Sequence, residues 1–243
     1  MTSTSRIAFS VALLALALSA GCKETVSSEF IKTGGIAMLT EVTAHSETDV
    51  TVRTELVVGG DESNTYVILQ SGDRIYAAVD GDPKEMDEVS EGVYKATFDV
   101  GAQDTEYSVM LRRDDEDDAE ANSGTLPAPF EITSDLGSDP LSRMDDDVTL
   151  TWDPSGESDD MSLEVDDDIG GCIFSDDLDI AGDDGSYTIA AGTLESTSSQ
   201  DPEECDVTAT LSRERGGEND PILDGESSFV LRQVRSTTFA SAP

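Results

Sequence analysis

Val50-Thr51-Val52-Arg53-Thr54-Glu55-Leu56-Val57-Val58 decides the class of this chain. Val50, Val52, Thr54 and Leu56 recur with a period of two, the spacing that puts side chains on one face of an extended strand. Tyr107, Val109 and Leu111 repeat the pattern within Thr105–Arg112, so two apolar faces are available to meet in one core. No window carries apolar residues at helical spacing. Short alternating runs predict further strands at Ile36–Thr43, Thr65–Gln70, Ile75–Val79 and Val93–Val100. Gly59-Gly60-Asp61, Ser71-Gly72-Asp73 and Asp80-Gly81-Asp82-Pro83 supply residues that tolerate positive φ or preset it, and so predict the turns between strands.

The same rhythm returns at Phe130–Thr133, Val148–Trp152, Met161–Val165, Gly171–Phe174, Tyr187–Leu194, Cys205–Leu211 and Ser228–Arg235. At 243 residues the chain is long enough for two cores of about 100 residues each. Between the halves lies Asp114–Glu120, too densely acidic to bury, then Pro127 and Pro129, which stiffen the passage. The expected boundary is near Leu126. The fold class predicted is all-β: a first sandwich over 36–126 and a second over 127–243.

Acidic residues outnumber basic ones 53 to 14, for a net charge of −39. That balance opposes binding to nucleic acid and to anionic bilayers. Lysine occurs only at Lys23, Lys32, Lys84 and Lys95, and Asp exceeds Glu, a surface that resembles those of proteins from saline habitats. Hydrophobic content is still 37 %, so composition does not predict disorder.

At the N-terminus Arg6 precedes an apolar run from Ile7 to Ala20, shorter than the roughly 20 residues that span a bilayer and matched to the core of a secretory signal. It closes on Leu18-Ser19-Ala20-Gly21-Cys22, which resembles the lipobox of bacterial lipoproteins, with Ser19 where leucine is commonest. The resemblance implies that the signal peptide, 1–21, is removed and that the Cys22 sulfur carries a diacylglyceryl group, with a further acyl chain such as palmitate on the new amine. Two or three chains anchor firmly where one does not. Lys23, rather than Asp, follows the cysteine, which by analogy favours the outer membrane. The polar stretch 22–35, ending in Gly34-Gly35, reads as a flexible tether.

Two stretches resemble fibronectin type III domains, relatives of the immunoglobulin fold. Val148-Thr-Leu-Thr-Trp152-Asp-Pro154 is similar to their second strand, whose tryptophan packs in the core. Asp104-Thr-Glu-Tyr107-Ser-Val-Met-Leu111 is similar to their sixth strand, whose tyrosine pins a loop. The resemblance implies sandwich architecture; that architecture serves adhesion, recognition and spacing alike.

With Cys22 consumed by lipid, Cys172 and Cys205 form an even pair in an oxidising compartment, and a Cys172–Cys205 disulfide is expected, two buried free thiols being the alternative. His45, the single histidine, sits in a loop-like stretch with no Gly-x-Ser-x-Gly turn to supply a nucleophile, so no catalytic residue is nominated. No metal site is nominated either. Calcium is the ion to weigh, given Asp80 with Asp82, Asp114–Asp118, Asp166–Asp168 and Asp176 to Asp179, but ligand spacing of the EF-hand kind is missing. The sequence thus predicts an exported, membrane-anchored, non-catalytic binding, adhesion or scaffolding module of the cell envelope, without cofactor beyond the lipid. Its partner would be a protein or glycan, not nucleic acid. A calcium-binding surface adhesin, or an envelope hydrolase with a carboxylate-based site, is the alternative.

Overall fold

The computed structural model describes residues 23–60, 62–167, 171–198 and 203–243. The expected signal peptide, 1–21, and Cys22 lie outside the described residues. The described chain is all-β, with two single-turn 3₁₀ segments at Ser28–Phe30 and Thr33–Gly35.

Its strands begin with β1 (Glu24–Ser27), β2 (Ala37–Ser46), β3 (Asp49–Val57), β4 (Thr65–Ile68) and β5 (Arg74–Val79). They continue with β6 (Asp82–Glu85), β7 (Asp87–Ser90), β8 (Val93–Phe98), β9 (Glu106–Arg112) and β10 (Ala119–Thr125). The second half adds β11 (Glu131–Ile132), β12 (Leu141–Ser142), β13 (Val148–Asp153) and β14 (Asp160–Asp167). It ends with β15 (Asp176–Ile180), β16 (Ser186–Ile189), β17 (Cys205–Gly216) and β18 (Ser228–Ala242).

One large sheet runs through both halves in the order β1-β4-β3-β2-β18-β17-β14-β15, with β8 and β7 added beside β3 and β12 beside β18. The sheet β10-β9-β5-β6 covers its first half, and the sheet β11-β13-β16 covers its second. Two cores result. The first holds Val50, Val52, Leu56, Tyr107, Val109 and Leu111, the two faces legible in the sequence. The second gathers around Trp152 with Leu150, Leu163, Val207 and Leu211.

Strand β18 joins the two. Its first six residues pair in parallel with β2, Ser228 opposite Leu39 and Gln233 opposite Ala44, while β17 runs antiparallel beside it from Gly216 to Cys205. Alternation keeps its odd residues on one face: Phe229 and Leu231 enter the first core, Phe239 the second. Gln233 falls between the cores, fully buried, and donates from Nε2 to Gly101 O at 2.9 Å and Pro127 O at 3.3 Å. One strand therefore serves two sandwiches.

This corrects the expected division at Leu126. Ile222, Leu223, Phe229 and Leu231, assigned by sequence to 127–243, complete the first core. The cause is covalent continuity, because β17 and β18 are too long for one sandwich and carry the chain back beside β2. Gly124 on β10 permits the closure, since a Cβ there would collide with Leu231 and crowd Gly217.

The expected tether, 22–35, is also corrected from Lys23 onward. β1 pairs in parallel with β4, Glu24 opposite Thr65, and Ser28 and Thr33 are buried. The Arg113 guanidinium holds this segment down: Nη2 donates to Ser28 O at 2.8 Å and Ile31 O at 3.0 Å, and Nε pairs with Asp73 Oδ2 at 2.8 Å. Within the expected acidic loop, Asp114–Asp118 is exposed, but Ala119 is fully buried and opens β10. Gly171–Phe174, expected as a strand, makes a single bridge between Ile173 and Ser196.

Tyr107 behaves as the fibronectin resemblance implies. Its hydroxyl donates to Val100 O at 2.5 Å, pinning the turn before β9, and burial pushes its pKa above the ordinary phenol range.

Candidate functional site

Cys205 opens β17 opposite Ser241 of β18, and Cys172 lies in the loop between the antiparallel neighbours β14 and β15. Their sulfurs are bonded, with Cα atoms 6.3 Å apart. Gly171, Cys172 and Ile173 are held by the buried Asp167 carboxylate, which accepts from their N–H groups at 3.1, 2.6 and 2.8 Å. Three convergent donors compensate a buried carboxylate that would otherwise be costly.

Arg143, 4 % exposed, packs over the disulfide. Its Nη2 lies 2.9 Å from Cys172 Sγ and 3.8 Å from Cys205 Sγ, and it donates to Glu203 O and, at 3.3 Å, to Ser241 O. Nε and Nη1 donate to the Ser241 and Ser196 hydroxyls at 3.0 and 2.5 Å. Burial lowers the Arg143 pKa, against the opposing attraction of Asp167. Asp167, Cys172 and Cys205 form the group of metal-ligating side chains whose donor atoms fall within 4.8 Å among the described residues, but both sulfurs are committed to the disulfide.

The acidic stretches weighed for calcium are dispersed or employed within the chain. Asp80 turns the β5–β6 hairpin with φ of 47°. Asp118 accepts the Arg113 N–H at 2.6 Å, and Asp166 accepts the Ser175 hydroxyl at 2.9 Å. Asp177 and Asp179 stand on β15 opposite Glu164 and Ser162. Asp168 lies outside the described residues.

His45 is exposed near the end of β2, on the rim of an open cleft of about 580 Å³ between the sandwiches. Phe130 and Pro154 line the cleft, and Arg235 stacks 5.7 Å from the Phe130 ring centroid while Nε pairs with Glu131 at 3.3 Å. Arg235 Nη1 also donates to Ala44 O of β2 at 3.3 Å, a tie across the junction.

A buried ion pair within the second sandwich escaped the sequence. Arg213 of β17 is fully buried, its Nη2 2.7 Å from Asp183 Oδ2 and 2.8 Å from Pro154 O, its Nη1 2.7 Å from Ala128 O. Trp152 Nε1 donates to the other oxygen of Asp183 at 2.6 Å. Arg215, two residues on, spans the junction, bidentate to Asp159 at 2.8 and 2.9 Å and 3.1 Å from Asp104. The hydrogen bonds that Arg215 donates to Asp159 raise its pKa, against the opposing effect of burial. A signal existed: Cys205, Val207, Ala209 and Leu211 alternate inward, and the next inward position is Arg213.

No protein-family model matches this chain, and no curated protein is matched. Among solved structures, the Yersinia pseudotuberculosis adhesin InvE is similar over 86 % of this chain and 61 % of its own, at 13 % identity and TM-score 0.26. A two-domain fibronectin type III segment of chicken tenascin is similar over 82 % of this chain and 95 % of its own, at 14 % identity and TM-score 0.24. The FN1–FN3 domains of chicken CNTN1 match 87 % of this chain and 68 % of their own, at 10 % identity and TM-score 0.25. The chain spans about three fifths of the adhesin's length. The fold is read from the strand pairings themselves.

Proposed function

We propose that this chain is an exported, lipid-anchored, non-catalytic binding or scaffolding module of the cell envelope, acylated at Cys22 and held in the outer membrane. The observation that carries the reading is the Cys172–Cys205 disulfide, a bond that persists in oxidising compartments and leaves Cys22 as the remaining cysteine of three. The non-catalytic part is supported by the use of the buried carboxylates: Asp73 and Asp183 are paired with guanidinium groups, and Asp167 is saturated by backbone N–H donors.

Metabolic acyl labelling tests the anchor. Cys22→Ser should abolish the label and leave the protein soluble or as uncleaved precursor; label that persists in the variant overturns the reading. Proximity cross-linking in the native envelope tests the binding role, with a defined neighbour as the expected result.

A further inference from the structure

Met144 and Phe174 are 70 % and 57 % exposed, large apolar side chains left in water on a strongly acidic protein. Both stand at the pole of the second sandwich farthest from the first. The registers fix this placement: Ser228 of β18 faces Leu39, and Ala242, about 46 Å further along at 3.3 Å per residue, faces Ser142. At the opposite extreme of the same sheet Ala37 faces Val57, Val57 faces Tyr66, and Thr65 faces Glu24, two residues after Cys22. The strand nearest the expected anchor and these two of the four large apolar residues exposed among the described residues, the others being Phe30 and Val89, therefore occupy opposite poles.

Residues 192–198 run between Met144 and Phe174 as a ridge. Leu194 and Ser196 line a hollow of about 430 Å³ beside Met144, Thr193 lines one of about 230 Å³ beside Phe174, and Glu195 bounds both. The ridge is fixed from below. Thr197 N donates to Cys172 O at 3.1 Å, Phe174 N to Glu195 O at 3.0 Å, and Arg143 Nη1 to the Ser196 hydroxyl at 2.5 Å. Around this apolar centre Asp145, Asp146, Asp176, Asp177 and Glu195 are exposed. Arg143, the basic residue at this pole among the described residues, is buried over the disulfide.

We infer that this pole is a docking surface for a protein segment that presents an apolar side chain flanked by lysine or arginine. The inference rests on the reading of the chain as a binding module and names the chemistry of its partner. Apolar side chains in shallow hollows supply the anchor, and the acidic rim selects a cationic partner and repels acidic ones.

The experiment uses the full chain and the labelled peptide Lys-Lys-Leu-Phe-Lys-Lys, with hexalysine and Glu-Glu-Leu-Phe-Glu-Glu as controls, read by fluorescence anisotropy. The Lys-flanked peptide should bind more tightly than either control. The double variant Met144→Ser/Phe174→Ser, altered only at exposed positions, should weaken it about tenfold and leave hexalysine binding unchanged. Equal binding of hexalysine, or an unchanged affinity in the double variant, overturns the inference. So does a dimer in sedimentation that the double variant converts to monomer, which would assign the surface to a second copy of this chain. Acyl labelling of the same preparations reads the anchor separately: lost label with retained peptide binding sinks the anchor alone, and retained label with no peptide effect sinks this inference alone.

Discussion

Arg213 Nη2 and Asp183 Oδ2 meet at 2.7 Å with neither side chain exposed to solvent. Each charge is compensated by the other, by a few fixed dipoles and, for Arg213, by the Phe130 ring 5.0 Å away. Removing one partner strands the other in a low-dielectric interior, so Asp183→Ala should cost about 3–5 kcal/mol. Trp152, whose indole N–H also points at Asp183, supplies the readout through its fluorescence. The double variant Asp183→Ala/Arg213→Met should recover more than half of the loss in denaturant titrations. A single variant as stable as the wild type would show that the pair carries no such charge penalty.

The N-terminal segment should be sensitive to acid. Burial alone would raise the Asp73 pKa, but hydrogen bonds from the Ser28 hydroxyl and the Asp114 N–H, together with the Arg113 guanidinium, hold it below its ordinary value of 3.8. A carboxyl depressed on folding stabilises the fold fully above its unfolded pKa, and that share is lost as pH falls through the folded value. Hydrogen exchange of β1, taken relative to the unprotected amide rate at the same pH, should therefore accelerate below about pH 4 in the wild type. In Asp73→Asn it should already be fast at neutral pH, with little further change on acidification from this group.

Reducing the disulfide should destabilise the second sandwich. The cross-link closes a loop with a sequence separation of 33 residues, for which chain entropy gives roughly 3–4 kcal/mol. Denaturant midpoints of Cys172→Ser/Cys205→Ser should fall accordingly. Thiol titration of the unfolded, unreduced chain should find neither of these cysteines free.

A chain ending at Leu126 should fail to fold. It lacks Phe229 and Leu231, which fill the first core, and leaves β2 with an open, apolar-faced edge. Near-ultraviolet circular dichroism and amide dispersion measure this directly; a cooperative unfolding transition in the truncated chain would show the first sandwich to be independent.

Period-two alternation made most strands legible, because a half-buried strand writes its two faces into the sequence. Val50–Val58 and Thr105–Arg112 correspond closely to β3 and β9. Strand β10, Ala119-Glu-Ala-Asn-Ser-Gly-Thr125, was hidden because its residues are small and polar. It is a strand through its pairing with β9 and through Asn122, whose buried amide donates to Val109 O at 2.9 Å. Strand β15 was hidden by its carboxylates, tolerable because it is an edge strand with exposed aspartates. The disulfide could be argued from cysteine arithmetic. Arg143 above it could not, since nothing local in Ser142-Arg143-Met144 announces a partner 29 residues away. The return of β18 to β2 was likewise invisible, because alternation specifies a face and leaves the neighbour unspecified.

The passage of β18 through both sandwiches has a mechanical meaning. Were the two bodies joined by a linker, tension between the pole that holds β1 and the far pole would first straighten that linker and then separate the bodies. Here the pull enters a single extended backbone that is hydrogen-bonded along its length to β17 and over its first part to β2. Lengthening the molecule requires those rows of bonds to slide past one another together, so tension is resisted in shear, with no slack to take up first.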